Sequence, residues 1–455
     1  MLIRFTIENF SSFKDKQFFS MLPGKGTLKT NHKTKQIKGV SVLKTAVLFG
    51  ANASGKSNLI KAIEFGRETI LKGTKAEQPI DFKGFRLDKK TALENSYIEY
   101  EIQHKEKNYA YGFVFNRKEI VDEWLFEIGK TFERKIFERK GTNDFDLGYL
   151  FKKNSKKEEK QFIEFTAKGT PRNQLFLTQV RNTNITDNVT DFSDILNVID
   201  WFQNALTVIY PSSKNISKKF ELLEDTNLQD LFTEMLDYFD TGIDGIDFKN
   251  LDFDKVQVPD EIKEDIKKDL LSEKSEKNNV FLSNPQDDKY YVFSKTAKNE
   301  VEAKVLKTKH KVEGGTYELF DLKDESDGTR RIMDLIPLII DFFKGGNVFI
   351  IDEIERSLHP NLVKDLFEFI LNKCEKVNSQ IIVASHEATL LTQKLFRKDE
   401  IWFTVKKSGS TNLHSLEDYN VRFDKEIMKD YLLGRYKGVP KLGNRDNLTI
   451  LPSNE

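Results

Sequence analysis

The stretch GANASGKSN, residues 50–58, decides the reading of this chain of 455 residues. It follows the apolar run Val42-Leu43-Lys44-Thr45-Ala46-Val47-Leu48-Phe49. It precedes Leu59-Ile60-Lys61-Ala62-Ile63-Glu64-Phe65, whose apolar residues recur at helical spacing. Gly50 to Ser57 fits G-x-x-x-x-G-K-[ST] without a mismatch, which composition alone would produce about once in a hundred chains of this length. A strand before the motif and a helix after it are the context a phosphate-binding loop needs. Gly50 and Gly55 let backbone N–H groups turn inward around phosphates, and the helix N-terminus adds partial positive charge. Lys56 is then the residue for the β- and γ-phosphates and Ser57 for Mg²⁺, while Asn52, Ala53, Ser54 and Asn58 complete the nucleotide-contacting set. The expected cofactors are ATP and Mg²⁺.

The rest of the chain says which kind of P-loop protein this is. Val348-Phe349-Ile350-Ile351 reads as a buried strand ending in Asp352-Glu353, a Walker B pattern. Asp352 would hold Mg²⁺ through water, and Glu353 would polarise the attacking water. Twenty-six residues before Asp352, Ser326 and Gly328 lead into the apolar helical run Ile332–Ile340. They stand where an S-x-G signature would present a hydroxyl and backbone amides to a γ-phosphate. Gln380-Ile381-Ile382-Val383-Ala384-Ser385-His386 is a further buried strand, whose terminal His386 would contact the γ-phosphate and sense hydrolysis. Leu175-Phe176-Leu177-Thr178-Gln179 reads as a strand ending in a glutamine that resembles a Q-loop residue touching Mg²⁺. An ordinary surface glutamine fits that position as well.

Spacing separates the P-loop classes. Lys56 and Ser326 are 270 residues apart, whereas GTPases and hexameric ATPases keep their second motif within one modest domain. Transporter nucleotide-binding domains carry far shorter insertions. A head split by so long an insertion resembles the SMC/RecF/OLD branch of ABC ATPases. The expected fold is α/β: a P-loop ABC-type ATPase head, with a mixed sheet, flanking helices and an antiparallel β subdomain, split by a helical or mixed insertion. The expected division is an N-terminal ATPase lobe at 1–185 and an insertion or arm at 186–315. A C-terminal lobe follows at 316–440, then a flexible tail at 441–455.

Composition sets the bounds. Lys and Arg total 72 against 72 Asp and Glu, so net charge points to no polyanionic partner. No run approaches the 18 or so apolar residues of a membrane span, and the alternating Met1–Phe5 is no signal peptide. A soluble, cytoplasmic protein without a membrane partner is expected. The single cysteine, Cys374, excludes an intrachain disulfide framework. Alternation in Tyr97–Ile102, Tyr109–Phe115 and Ile120–Leu125 predicts an antiparallel meander. Residues 188–310 show no sustained heptad and no Cys-x-x-Cys, so a short arm for dimer or partner contact is expected. The clusters Lys152-Lys153, Lys156-Lys157 and Lys304–Lys311 read as solvated faces, with nucleic acid as a further candidate partner. Asp144-Phe145-Asp146 and Asp252-Phe253-Asp254 read as turns, not as nuclease carboxylates. Only 69 residues follow His386, too few for an appended TOPRIM nuclease domain.

The segments MLIRFTIENFSSFKD, GANASGKSNLIKAIEF, DEIERSLHP and YLLGRYKGVP together resemble AAA-15-type bacterial ATPases, notably RloA and AbiL-type abortive-infection ATPases. The resemblance covers roughly residues 1–70 and 316–440. It implies that Asn9–Phe13 lies beside the nucleotide and that Glu355–His359 contacts a dimer mate. It also implies a homodimer joined through the head, with ATP bridging the P-loop of one subunit and the signature of another. Anti-phage defence beside a separate TOPRIM-like or other nuclease effector follows from the family alone. A RecF-type chromosome-maintenance ATPase clamping DNA is the competing expectation.

Overall fold

The computed structural model describes residues 1–141, 143–154, 156–183, 191–213, 225–272, 279–284, 289–419, 421–422 and 426–440; the expected tail at 441–455 lies outside them. The chain divides into two compact units. One comprises Met1–Pro211, Lys344–Ile354 and Phe367–Glu455, and the other Ser212–Phe343 and Glu355–Leu366.

In the first unit a six-stranded sheet runs in the order Ser410–Ser415, Ile401–Lys407, Thr45–Phe49, Gln380–Ala384, Val348–Ile351, Leu206–Ile209. All neighbours are parallel except the hairpin of Ile401–Lys407 with Ser410–Ser415. The three central strands, Thr45–Phe49, Gln380–Ala384 and Val348–Ile351, are buried at every residue. Both faces of a parallel sheet are covered, so such strands read as unbroken apolar runs. Leu206–Ile209, which the sequence assigns to the insertion, is an edge strand here, with Leu206 opposite Val348.

A second sheet is antiparallel and seven-stranded, in the order Gln17–Ser20, Leu2–Glu8, Ser96–His104, Lys107–Phe115, Ile120–Ile128, Glu133–Lys140, Asp144–Asp146. The expected meander is its centre. Asp144–Asp146 is its short edge strand and not a turn, because Glu138–Lys140 offers a free edge to pair with it. The helix Lys56–Lys72 buries Leu59, Ile60, Ile63 and Ile70 in a core that takes residues from both sheets, among them Phe5, Ile98, Leu48 and Ile350. Tyr100 Oη of the antiparallel sheet donates to Ile63 O at 2.7 Å, which fixes that helix.

The stretch Leu175–Gln179 is not a strand: Phe176–Asn182 is a helix. The cause lies far away in sequence. Buried Glu123 accepts hydrogen bonds from Phe176 N (2.7 Å) and Leu177 N (3.2 Å), supplying the free amides of a helix N-terminus with a carboxylate.

The second unit is built on an antiparallel sheet in the order Gly245–Leu251, Val301–Lys311, Lys289–Lys295, Asn279–Asn284, with Tyr317–Asp321 pairing the far end of Val301–Lys311. Helix Asp260–Leu271 covers it, burying Ile266 and Leu270 with Tyr291, Phe293, Ala303 and Val305. Asp252 caps the short turn Phe253–Lys255, accepting from Asp254 N at 3.1 Å. Among the described residues, no helix is long and apolar enough to cross a membrane.

Candidate functional site

Because the central strands are parallel and nearly level, their carboxyl ends open on one edge, the usual place for a ligand in such sheets. Phe49 ends one strand and passes into the loop 50–55; Ile351 ends another and passes into Asp352-Glu353. Ala384 ends the strand between them and passes into Ser385-His386. The loop folds around a cavity of about 490 Å³ lined by Ser12, Asn52, Ala53, Ser54, Gly55, Lys56, Ser57, Asn58, Glu353, His386 and Lys406.

Side chains from distant segments lock the loop. Gly55 has φ 118°, and a Cβ there would also lie 2.2 Å from Thr411 Oγ1, so only glycine fits. A Cβ at Gly50 would lie 2.7 Å from the backbone oxygen of Thr404. Thr404 Oγ1 lies 2.5 Å from Ser54 Oγ, and Thr411 Oγ1 donates to Ser54 O at 2.7 Å. Asn58 Nδ2 donates to Ser12 Oγ at 2.8 Å, which ties the exit of the first strand to the start of the helix. The C-terminal segment backs the loop as well. Tyr431 and Tyr436 stack on Phe403 at 5.7 and 5.0 Å, and a Cβ at Gly438 would lie 3.7 Å from Gly50 Cα.

Within the cavity Lys56 Nζ donates to Gly50 O (2.8 Å) and Ala51 O (3.3 Å) and lies 3.5 Å from His386 Nδ1. The Ser57 hydroxyl faces the Asp352 carboxylate and favours its charged form. Burial nevertheless holds the Asp352 carboxyl above the usual carboxylate range. The charge of Glu353 adds to that effect, and Lys56 and Lys61 offset part of it. Asp352 Oδ1 is buried without a hydrogen-bond partner. A buried, unpartnered carboxylate oxygen beside a serine hydroxyl fits Mg²⁺, which takes one or two protein oxygens and completes its octahedron from phosphate and water. No group of three His, Cys, Asp or Glu side chains that could hold a metal ion occurs among the described residues, and a nucleotide-borne Mg²⁺ needs none. Glu353 lines the cavity with φ 50°, a left-handed backbone that turns the chain sharply after the strand.

Gln179 is not brought to this site. The hydroxyl of its neighbour Thr178 donates to Ile70 O at 2.9 Å, near the far end of the helix that begins at Lys56. Fourteen residues of helix separate those levels by about 21 Å, beyond the reach of a glutamine side chain.

Ser326 and Gly328 belong to the second unit. Ser326 Oγ accepts from Thr329 N at 3.0 Å, so it caps the helix Asp327–Lys344. A Cβ at Gly328 would lie 2.8 Å from Ser357 O; Ser357 itself has φ 63°. The start of this helix is therefore pressed against the Glu355–His359 segment, joining two stretches that the sequence reading treated separately.

Sequence reasoning missed Thr404, Lys406 and Thr411. They follow the last motif, and their only signal is the alternation of a strand whose neighbour is unknown from sequence. The basic clusters are largely matched by acids: Lys153 lies 2.9 Å from Asp194, Lys307 2.6 Å from Asp321 and Lys309 3.2 Å from Asp247.

The comparison with curated proteins found no match. Several solved structures align over most of the chain at low identity. An SMC head bound to the C-winged helix domain of ScpA is 12% identical, covering 91% of this chain and 97% of that one, with TM-score 0.39. The SMC head domain from Thermotoga maritima is 9% identical, covering 91% and 98%, with TM-score 0.38. A Smc head domain with an extended coiled coil, bound to the C-terminal domain of ScpA and derived from Pyrococcus furiosus, is 12% identical, covering 92% and 97%, with TM-score 0.34. A family model matches residues 46–392, from the P-loop strand past His386. With that match over more than half its length, and with the P-loop α/β head described above, the chain belongs to the AAA_21 family, "AAA domain, putative AbiEii toxin, Type IV TA system".

Proposed function

We propose that this protein binds and hydrolyses ATP, and that two copies complete each other's sites. The observation that carries the reading is one cavity lined by the P-loop, Glu353 and His386, with Asp352 and Ser57 paired beside it. Lys56 would exchange the carbonyls of Gly50 and Ala51 for the β- and γ-phosphates. The loop amides, held by Thr404 and Thr411, would donate to the phosphate chain without rearrangement. Ser57 and Asp352 would hold Mg²⁺, which neutralises phosphate charge when bound. Glu353 would orient and deprotonate the attacking water, and His386 would contact the γ-phosphate. Ser326 and Gly328 of a second copy would close the site with backbone amides and a hydroxyl.

For the biological role, a regulator of a nuclease-type effector in anti-phage defence is the reading we adopt. Support comes from the family's description, "putative AbiEii toxin, Type IV TA system", and from the narrower resemblance to RloA and AbiL-type ATPases. Phosphate release assays test the chemistry. Glu353→Gln should bind Mg·ATP yet turn over at least about a hundredfold more slowly, while Lys56→Ala should lose binding. Wild-type turnover in Glu353→Gln removes Glu353 from the mechanism.

A further inference from the structure

We infer that Lys406 is a second cationic contact for the phosphate chain of the bound nucleotide, beside Lys56. The inference rests on the nucleotide-site reading above and extends it to a residue outside every motif. Strand Ile401–Lys407 runs parallel to the P-loop strand, with Phe403 opposite Phe49. Its next residues, Thr404 to Lys406, therefore continue alongside the loop itself. Side chains alternate along a strand, so Thr404 and Lys406 share a face, and Thr404 meets Ser54 from that face. The cross-strand partner of Lys406 is Thr411, whose hydroxyl contacts both Ser54 O and Ser12 Oγ. Lys406 is thus flanked by the two threonines that hold the loop, and it lines the same cavity.

Its chemistry suits an anion that arrives. Among the described residues the Lys406 side chain has no ion pair and no hydrogen bond, while Lys56 is the other lysine lining the cavity and there is no arginine. Glu353 lines the same cavity and opposes an incoming polyanion, and Lys406 adds a second ammonium to that of Lys56 in the lining. A flexible four-carbon stem carrying three donors can reach a phosphate oxygen without a preset geometry. Lys407, on the opposite face of the strand, cannot do the same.

The test is a Mg·ATP titration of the full chain by fluorescence or calorimetry. Lys406→Ala should weaken binding about tenfold, the scale of one charged hydrogen bond. Lys406→Arg should stay within about threefold of wild type, and Lys407→Ala should change nothing. The melting midpoint of Lys406→Ala should match wild type, since the residue is exposed and supports no packing. If wild type binds, Lys56→Ala does not, and Lys406→Ala stays within about twofold of wild type, this inference falls while the P-loop reading stands. A wild-type chain that binds no Mg·ATP overturns both.

Discussion

Replacing Asp352 with asparagine separates what this carboxylate does for the fold from what it does for the site. The residue is 4% exposed, its Oδ1 has no hydrogen-bond partner, and burial with the neighbouring Glu353 charge raises its pKa. Such an ionised group destabilises the nucleotide-free chain, because it loses water and gains only Ser57 and the charges of Lys56 and Lys61. An unsatisfied buried polar atom costs about 1–3 kcal/mol, and more when charged. The amide keeps the shape and drops the charge. Asp352→Asn should therefore be more stable by about 1 kcal/mol near neutral pH, or about 2 °C in melting midpoint, where most buried substitutions destabilise. The gain depends on pH. With the folded pKa above the unfolded one, the folded wild type retains a proton that the unfolded chain has already released. Wild-type stability then falls as pH rises from about 4 through the raised value, and the asparagine variant does not follow. Unfolding in EDTA at about pH 5 and pH 8 should show the gap widening with pH. Mg²⁺-dependent ATP affinity should fall at least about tenfold in the same variant, from the loss of one charged ligand. A variant less stable than wild type by about 1 kcal/mol at pH 8 would mean that the carboxylate is a structural partner and not an unpartnered cation ligand.

The second unit offers two further tests. Gly328→Ala gains about 1 kcal/mol of helix propensity but drives a Cβ to 2.8 Å from Ser357 O, an overlap of the kind that costs about 1–3 kcal/mol; thermal unfolding should show no gain, and a clear stabilisation would rule the contact out. Ser326→Asp keeps a capping oxygen for Thr329 N and adds a negative charge, so it should fold and bind ATP but not hydrolyse it. Mixed with Lys56→Ala, it should recover about one working site per heterodimer. Inactive mixtures, with heterodimers detected by native mass spectrometry, would refute a site shared between copies.

What was legible in the sequence was what is local. The P-loop needs its glycines, lysine and serine in one stretch, and the flanking strand and helix show their own periodicities. The meander at 96–128 was legible because alternation survives in each strand separately. Leu175–Gln179 was misread because its helix depends on Glu123, whose carboxylate lies more than fifty residues earlier in the chain and leaves no trace in the local pattern. The register that sets Lys406 opposite Thr411 and beside the loop is likewise a property of sheet order, which no window of sequence contains. Gly328 looked like half of a signature; its need to be glycine comes from Ser357.

These distant contacts bear on how the site works. The loop's shape is held by the chain itself: Ala53 and Gly55 sit at φ 60° and 118°, and Thr404, Thr411 and Gly438 wall it from outside. A loop fixed beforehand pays little ordering entropy when phosphate enters. In the proposed mechanism Lys56 would be the part that moves, because its ammonium satisfies the carbonyls of Gly50 and Ala51. That exchange trades neutral acceptors for charged ones, which are the stronger partners. In the same mechanism His386, 3.5 Å from that ammonium, would register whether Lys56 has left. On the proposed reading the groups that answer the nucleotide are two side chains beyond the carboxyl ends of adjacent strands, beside a loop that Ser12, Thr404 and Thr411 tie to distant parts of the chain.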